Sequence, residues 1–145
     1  MELGLQVLSV FAIGVVELWA AVPAGIAMGL PVPLVWAATF GGALTGIVVV
    51  AFAGDRLRTW LSARFGHGGA RPGSRLRRVW DRYGVIGWGL SAPLLLGAPL
   101  ATAIGVALGA SRGRLVFWLG VGAALWTTVL TVAIALGEEA VPLLV

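Results

Sequence analysis

The chain contains no cysteine and no lysine, one histidine, and six carboxylates in 145 residues. Without cysteine there can be no disulfide, thiolate zinc site or thiol nucleophile. With His67 alone and so few acids, neither a protein-built metal site nor any cofactor is expected. Charge is scarce altogether. Only 11% of residues are charged and 59% are hydrophobic, where an ordinary soluble domain is about a quarter charged. So few polar groups cannot cover a water-facing surface. A soluble enzyme, a disordered tail and a nucleic-acid module are therefore set aside, although the formal net charge is +4. No basic residue precedes Arg56, so the first segment lacks the basic start of a secretory signal and is expected to be retained.

What is present is apolar length. Four blocks stand out, at residues 3–30, 33–54, 84–110 and 115–137. A helix needs about 20 apolar residues to cross the hydrocarbon core. The second and fourth blocks, 22 and 23 residues without a charge, fit that length. The first and third are longer and broken, by Glu17 and Pro23 in one and by Pro93, Gly97 and Pro99 in the other. Each proline removes a backbone donor and crowds the preceding turn.

Eight of the ten arginines lie between the second and third blocks, over residues 55–83. Arg56, Arg58 and Trp60 belong to one amphipathic piece, and Arg75, Arg77, Arg78, Trp80 and Arg82 to another. Ser74 stands where the second would be capped. Arginine-rich faces opposite Trp and Leu predict helices lying in the membrane interface, in contact with lipid. The Gly-rich stretch 66–73, which holds His67, reads as a loop.

Two topologies compete. Four plain spans would leave Arg112 and Arg114 outside. If blocks one and three are re-entrant hairpins, every arginine is cytoplasmic and Glu2, Glu138 and Glu139 lie on the far side. Cytoplasmic loops are enriched in Lys and Arg, which favours the hairpins. The expectation is an all-α polytopic membrane protein forming one domain, residues 1–145. It is an inverted repeat of two broken or re-entrant hairpins, each followed by a transmembrane helix. The halves are 3–54 and 84–137, joined by the linker 55–83 and followed by the tail 138–145. Pro23 with Gly25-x-x-x-Gly29 matches Pro99 with Gly105-x-x-x-Gly109. Gly41-Gly42-Ala43-Leu44 matches Gly122-Ala123-Ala124-Leu125. Discontinuous helices related in this way are a transporter signature.

The string Glu17-Leu18-Trp19-Ala20-Ala21-Val22-Pro23-Ala24-Gly25 resembles the Glu-Leu-Arg-Gly-Ala-Ile-Pro signature of the small multidrug export protein family. That family is distantly similar to the DedA superfamily of membrane proteins. Pro99, the Gly109-Ala110 step, Arg112, Arg114, Phe117 and the run Gly122-Ala123-Ala124-Leu125-Trp126 also look DedA-like. The resemblance implies two re-entrant hairpins meeting in a prokaryotic inner membrane. It also implies proton-coupled movement of lipid phosphates or other amphipathic molecules. Trp19 and Thr102 stand where the related patterns have arginine, so a phosphate contact is missing twice.

Glu17 is the sharpest candidate. A carboxylate in hydrocarbon is costly and faces a cavity or partner, so Glu17 is expected to couple protons or bind substrate. Trp19, Pro23, Gly25, Pro93, Gly97, Pro99, Thr102 and Trp126 are the candidates around it. The prolines and glycines open the helices, Thr102 stands near a half-helix start, and the deep tryptophans could line a pocket. No Ser–His–Asp set, phosphate-cradling loop or paired carboxylate is present, so the chain is not expected to be an enzyme. The expected function is a small DedA-like transporter acting as a dimer. The alternatives are a four-span exporter using one membrane carboxylate and a non-transporting scaffold or assembly factor.

Overall fold

The computed structural model describes residues 2–65 and 75–140. Among these residues all regular structure is helical. In order the helices are α1 (Glu2–Val16), α2 (Leu18–Ala27), α3 (Val32–Phe65), α4 (Arg75–Leu96), α5 (Ala98–Ala107) and α6 (Arg112–Ala140). Two of them, α3 over Val32–Ala53 and α6 over Arg112–Gly137, are long and apolar enough to cross a membrane.

The first amphipathic piece is not a separate helix, as the sequence suggested. The backbone of α3 runs on through it for 34 residues, about 50 Å at 1.5 Å per residue. The second piece does detach. Gly84 has φ 61° and ψ −162°, which divides α4 at the start of the apolar stretch.

Blocks one and three each double back. Gln6 Nε2 donates to the Met28 carbonyl at 3.3 Å, and Val10 lies 3.3 Å from where a Cβ on Gly25 would stand. Both pairs straddle Glu17, so α1 and α2 run antiparallel with Glu17 at the tip. In the other half, Trp88 Nε1 donates to the Ala101 carbonyl at 3.0 Å across Gly97. Of the two expected break points in block one, the chain breaks at Glu17 and not at Pro23, six residues on. Pro23 stays inside α2, where it deprives only the Trp19 carbonyl of its helical donor.

Equivalent features recur 80 positions apart. Glu17 and Gly97 precede the 10-residue helices α2 and α5. Both helices end with a bond from the cap N–H four residues back, Met28 to Ala24 and Leu108 to Ile104. Gly29 and Gly109 then take positive φ, 73° and 86°, and α3 and α6 start at Val32 and Arg112. Gly25 meets the Val35 side chain as Gly105 meets that of Leu115. In this register Gly42-Ala43 matches Gly122-Ala123, one residue away from the match read in the sequence, and Pro99 matches Trp19 rather than Pro23.

Glycine lets the helices of each half touch backbone to backbone. A Cβ on Gly42 would strike the Phe11 carbonyl, and one on Gly122 the Gly89 carbonyl. The Gly89 carbonyl is the one left without a helical donor by Pro93. Between the halves, Trp36 Nε1 donates to Thr128 Oγ1 at 2.9 Å, and Leu44 lies 3.5 Å from a Cβ position on Gly120. One index rises as the other falls, so α3 and α6 cross antiparallel. The end of α3 near Arg56 and the start of α6 at Arg112 thus share one end of this pair. Val32 and Gly137 share the other. One buried cluster joins Ala43 and Ile47 of α3 to Trp88, Ala98, Ala101, Leu115 and Leu119. A second holds Val10, Ala21, Val22 and Val35, with Leu130 and Ile134 of α6 against it.

Candidate functional site

The two hairpin tips meet. Glu17 is extended, at φ −150° and ψ 109°. Its N–H closes α1 on the Ile13 carbonyl at 2.7 Å, and its carbonyl accepts the Ala21 N–H of α2 at 3.3 Å. Gly97 has φ 76° and ψ 158°, a region essentially reserved for glycine. A Cβ there would also stand 2.9 Å from Glu17 Oε2 and 3.4 Å from the Val16 carbonyl. The backbone conformation therefore calls for glycine, and a Cβ there would press on the movable end of the Glu17 side chain.

Tryptophan ties the tips together. Trp19 Nε1 donates at 2.6 Å to the carbonyl of Leu94, one of the last-turn carbonyls of α4 that the break leaves without helical donors. Pro99, at the start of α5, lies 3.3 Å from a Cβ position on Gly46, which also faces the Val15 carbonyl. The tips are thereby seated against the middle of α3. Four helix ends converge here: the carbonyl ends of α1 and α4 and the amide ends of α2 and α5. Within that convergence Glu17 Oε1 is buried without a hydrogen-bond partner. A buried carboxylate oxygen in that state calls for a proton, a water or a ligand.

The other expected site residues divide. Glu17, Trp19, Gly97 and Pro99 come together, with Pro93 buried one residue from the Leu94 carbonyl. Thr102 is buried, but its hydroxyl donates to the Ala98 carbonyl at 2.7 Å and is committed to its own helix. Trp126 donates to the Leu90 carbonyl at 2.6 Å, which braces α6 on α4. Gly25 serves packing against Val35 and Val10, and Pro23 is exposed. Of the arginine candidates, Arg56 and Arg82 are exposed. The side chains of Arg58, Trp60, Arg75, Arg77, Arg78 and Trp80 lie outside the described residues, as does Ser74. Among the described residues no three His, Asp or Glu gather as a metal site.

Reading the sequence alone missed the Leu94 carbonyl, Trp88 and three threonines. Thr39, Thr127 and Thr131 are buried with hydroxyls that have no partner. Aligning the halves at a spacing of 80 would have flagged them, since their counterparts Leu119, Ile47 and Ala51 are apolar. No family model, curated protein or solved structure matches this chain.

Proposed function

We propose that the chain is a small membrane carrier of the DedA-like type. It moves a lipid or small amphipathic molecule across a prokaryotic inner membrane as a non-enzymatic homodimer, with Glu17 exchanging the coupling proton. The observation that carries this reading is the contact of the two hairpin tips around the buried, unpartnered Glu17 oxygen. Broken helices meeting at the middle of the protein, with an ionisable group between them, are what a carrier site in a bilayer requires.

Surface chemistry supports the bilayer. Phe117, Val121, Leu125, Val129, Val132 and Leu136 expose an apolar stripe along α6, and only 28% of its spanning window is buried. A helix in a soluble core would hide that surface. In this reading the hairpins are re-entrant, the repeat is inverted, and the arginine-bearing ends face the cytoplasm. The doubling back of α1 on α2 argues against four plain spans. A scaffold is the second reading. It is favoured by Trp19 and Thr102 in place of arginines and by the commitment of the Thr102 hydroxyl to Ala98.

The test is flux in proteoliposomes under a proton gradient, with fluorescent phospholipid and a cationic amphiphile as separate probes. Glu17→Gln is expected to fold as the parent does and to abolish gradient-driven movement. Unchanged flux in a folded variant removes Glu17 as the coupling group, and absence of flux in the parent favours the scaffold.

A further inference from the structure

Hydroxyls on these helices have an easy partner, the carbonyl four residues back. Ser9, Thr45, Ser91, Thr102 and Thr128 all use it, bonding to Leu5, Gly41, Gly87, Ala98 and Ala124. Thr39, Thr127 and Thr131 do not. They are 0%, 0% and 2% exposed, yet their hydroxyls have no partner. Thr127 and Thr131 are one turn apart on α6, on the side whose Leu130 and Ile134 pack against the cluster built by the α1–α2 hairpin and the start of α3.

The three positions are not scattered about the plane where the tips meet. Gly42 and Gly122 are equivalent in the repeat and sit level with one another in the antiparallel crossing of α3 and α6. Thr39 precedes Gly42 on α3, and Thr127 and Thr131 follow Gly122 on α6. All three therefore lie on the side away from the arginine-bearing end. Their repeat counterparts on the arginine side are Leu119, Ile47 and Ala51, each 0% exposed. One half of the interior carries unmet hydroxyls where the other carries hydrocarbon at every matching position. Buried hydroxyls lacking protein partners are satisfied by water, and hydrocarbon excludes it.

We propose that Thr39, Thr127 and Thr131 line a one-sided water path that brings protons to Glu17 from the end opposite the arginines. Ile47, Ala51 and Leu119 seal the arginine side. This rests on the reading of Glu17 as the coupling group in a bilayer, and it adds the direction from which the proton arrives.

The native chain has no cysteine, so single cysteines report cleanly. Thr127→Cys, Thr131→Cys, Ile47→Cys and Ala51→Cys are reconstituted with the full chain in phosphatidylcholine–phosphatidylglycerol vesicles. Each is treated with a small membrane-impermeant methanethiosulfonate from either side, with Gly69→Cys marking the arginine side. Thr127→Cys and Thr131→Cys are expected to react at least about tenfold faster than the other two, because only they meet water, and from the side opposite Gly69→Cys. A second readout follows modification of Glu17 by a water-soluble carbodiimide, scored by peptide mass spectrometry. Thr127→Val with Thr131→Val is expected to slow it about tenfold by drying the path. Equal reactivity at all four cysteines, faster reaction at Ile47→Cys or Ala51→Cys, or unchanged Glu17 modification overturns the path. If the cysteine pattern holds while Glu17→Gln keeps its flux, the coupling role fails and the water path stands.

Discussion

A single carboxylate and a single glycine define the centre of this protein, and each constrains the other. Gly97 adopts a backbone conformation that costs a residue with a side chain about 1–3 kcal/mol, and its Cα faces Glu17 Oε2. Gly97→Ala is therefore expected to destabilise the detergent-solubilised protein chiefly through backbone strain, with a smaller cost for displacing the Glu17 carboxylate. Adding Glu17→Ala removes only that smaller cost, so the double variant should recover part of the loss in a denaturant unfolding series. Strict additivity of the two changes would mean that the Glu17 carboxylate does not press on position 97. Glu17 was legible in the sequence because it is the lone charge within an apolar run. Gly97 was legible only as one member of a Pro-Gly-Pro cluster. The Trp19 bond to Leu94 was not legible at all, because a backbone carbonyl carries no residue identity and becomes available only when a distant helix ends.

The long apolar elements were legible, but their joints and the first amphipathic piece, which α3 absorbs, were not. Apolar runs set the span of α3 and α6, since hydropathy over some 20 residues is a summed signal. The sequence offers two break points in the first block, Glu17 and Pro23; α2 tolerates the proline, and the chain bends at Glu17. Contacts that close the hairpin, Gln6 with Met28 and Val10 with Gly25, centre on Glu17, and tertiary packing overrides the local breaker. The same packing makes glycines unequal. Gly109 has positive φ and open space around it, so Gly109→Ala should cost only the left-handed strain, about 1–2 kcal/mol. Gly122→Ala would drive a Cβ into the Gly89 carbonyl, and backbone cannot yield cheaply. Its unfolding midpoint is expected to fall further than that of Gly109→Ala. The reverse order would show that α4 and α6 are not in backbone contact.

At the scale of the whole molecule, the antiparallel crossing of α3 and α6 decides where the charges go. Trp36 meets Thr128 and Leu44 meets Gly120, so the C-terminal part of α3 leads to the same end from which α6 departs at Arg112. The segment joining α3 to α4 leaves from that end, and α5 returns to it because it folds back along α4. All ten arginines are then carried on segments belonging to one end, while Glu2 and the approach to Glu138 belong to the other. In the proposed membrane reading the arginine end faces the cytoplasm, where Lys and Arg are enriched. Gly69→Cys and Gly113→Cys should accordingly react with an impermeant thiol reagent from the same side, and Gly4→Cys from the opposite side. A reagent reaching Gly69→Cys and Gly113→Cys from different sides would require α4 and α5 together to cross once. That is incompatible with the Trp88 bond to Ala101 across Gly97. The hairpin of α1 and α2 opens toward the acidic end and that of α4 and α5 toward the arginines. Under the proposed one-sided path, the carboxylate at their contact is reached by protons from the acidic end alone, because Ile47, Ala51 and Leu119 are fully buried hydrocarbon on the other.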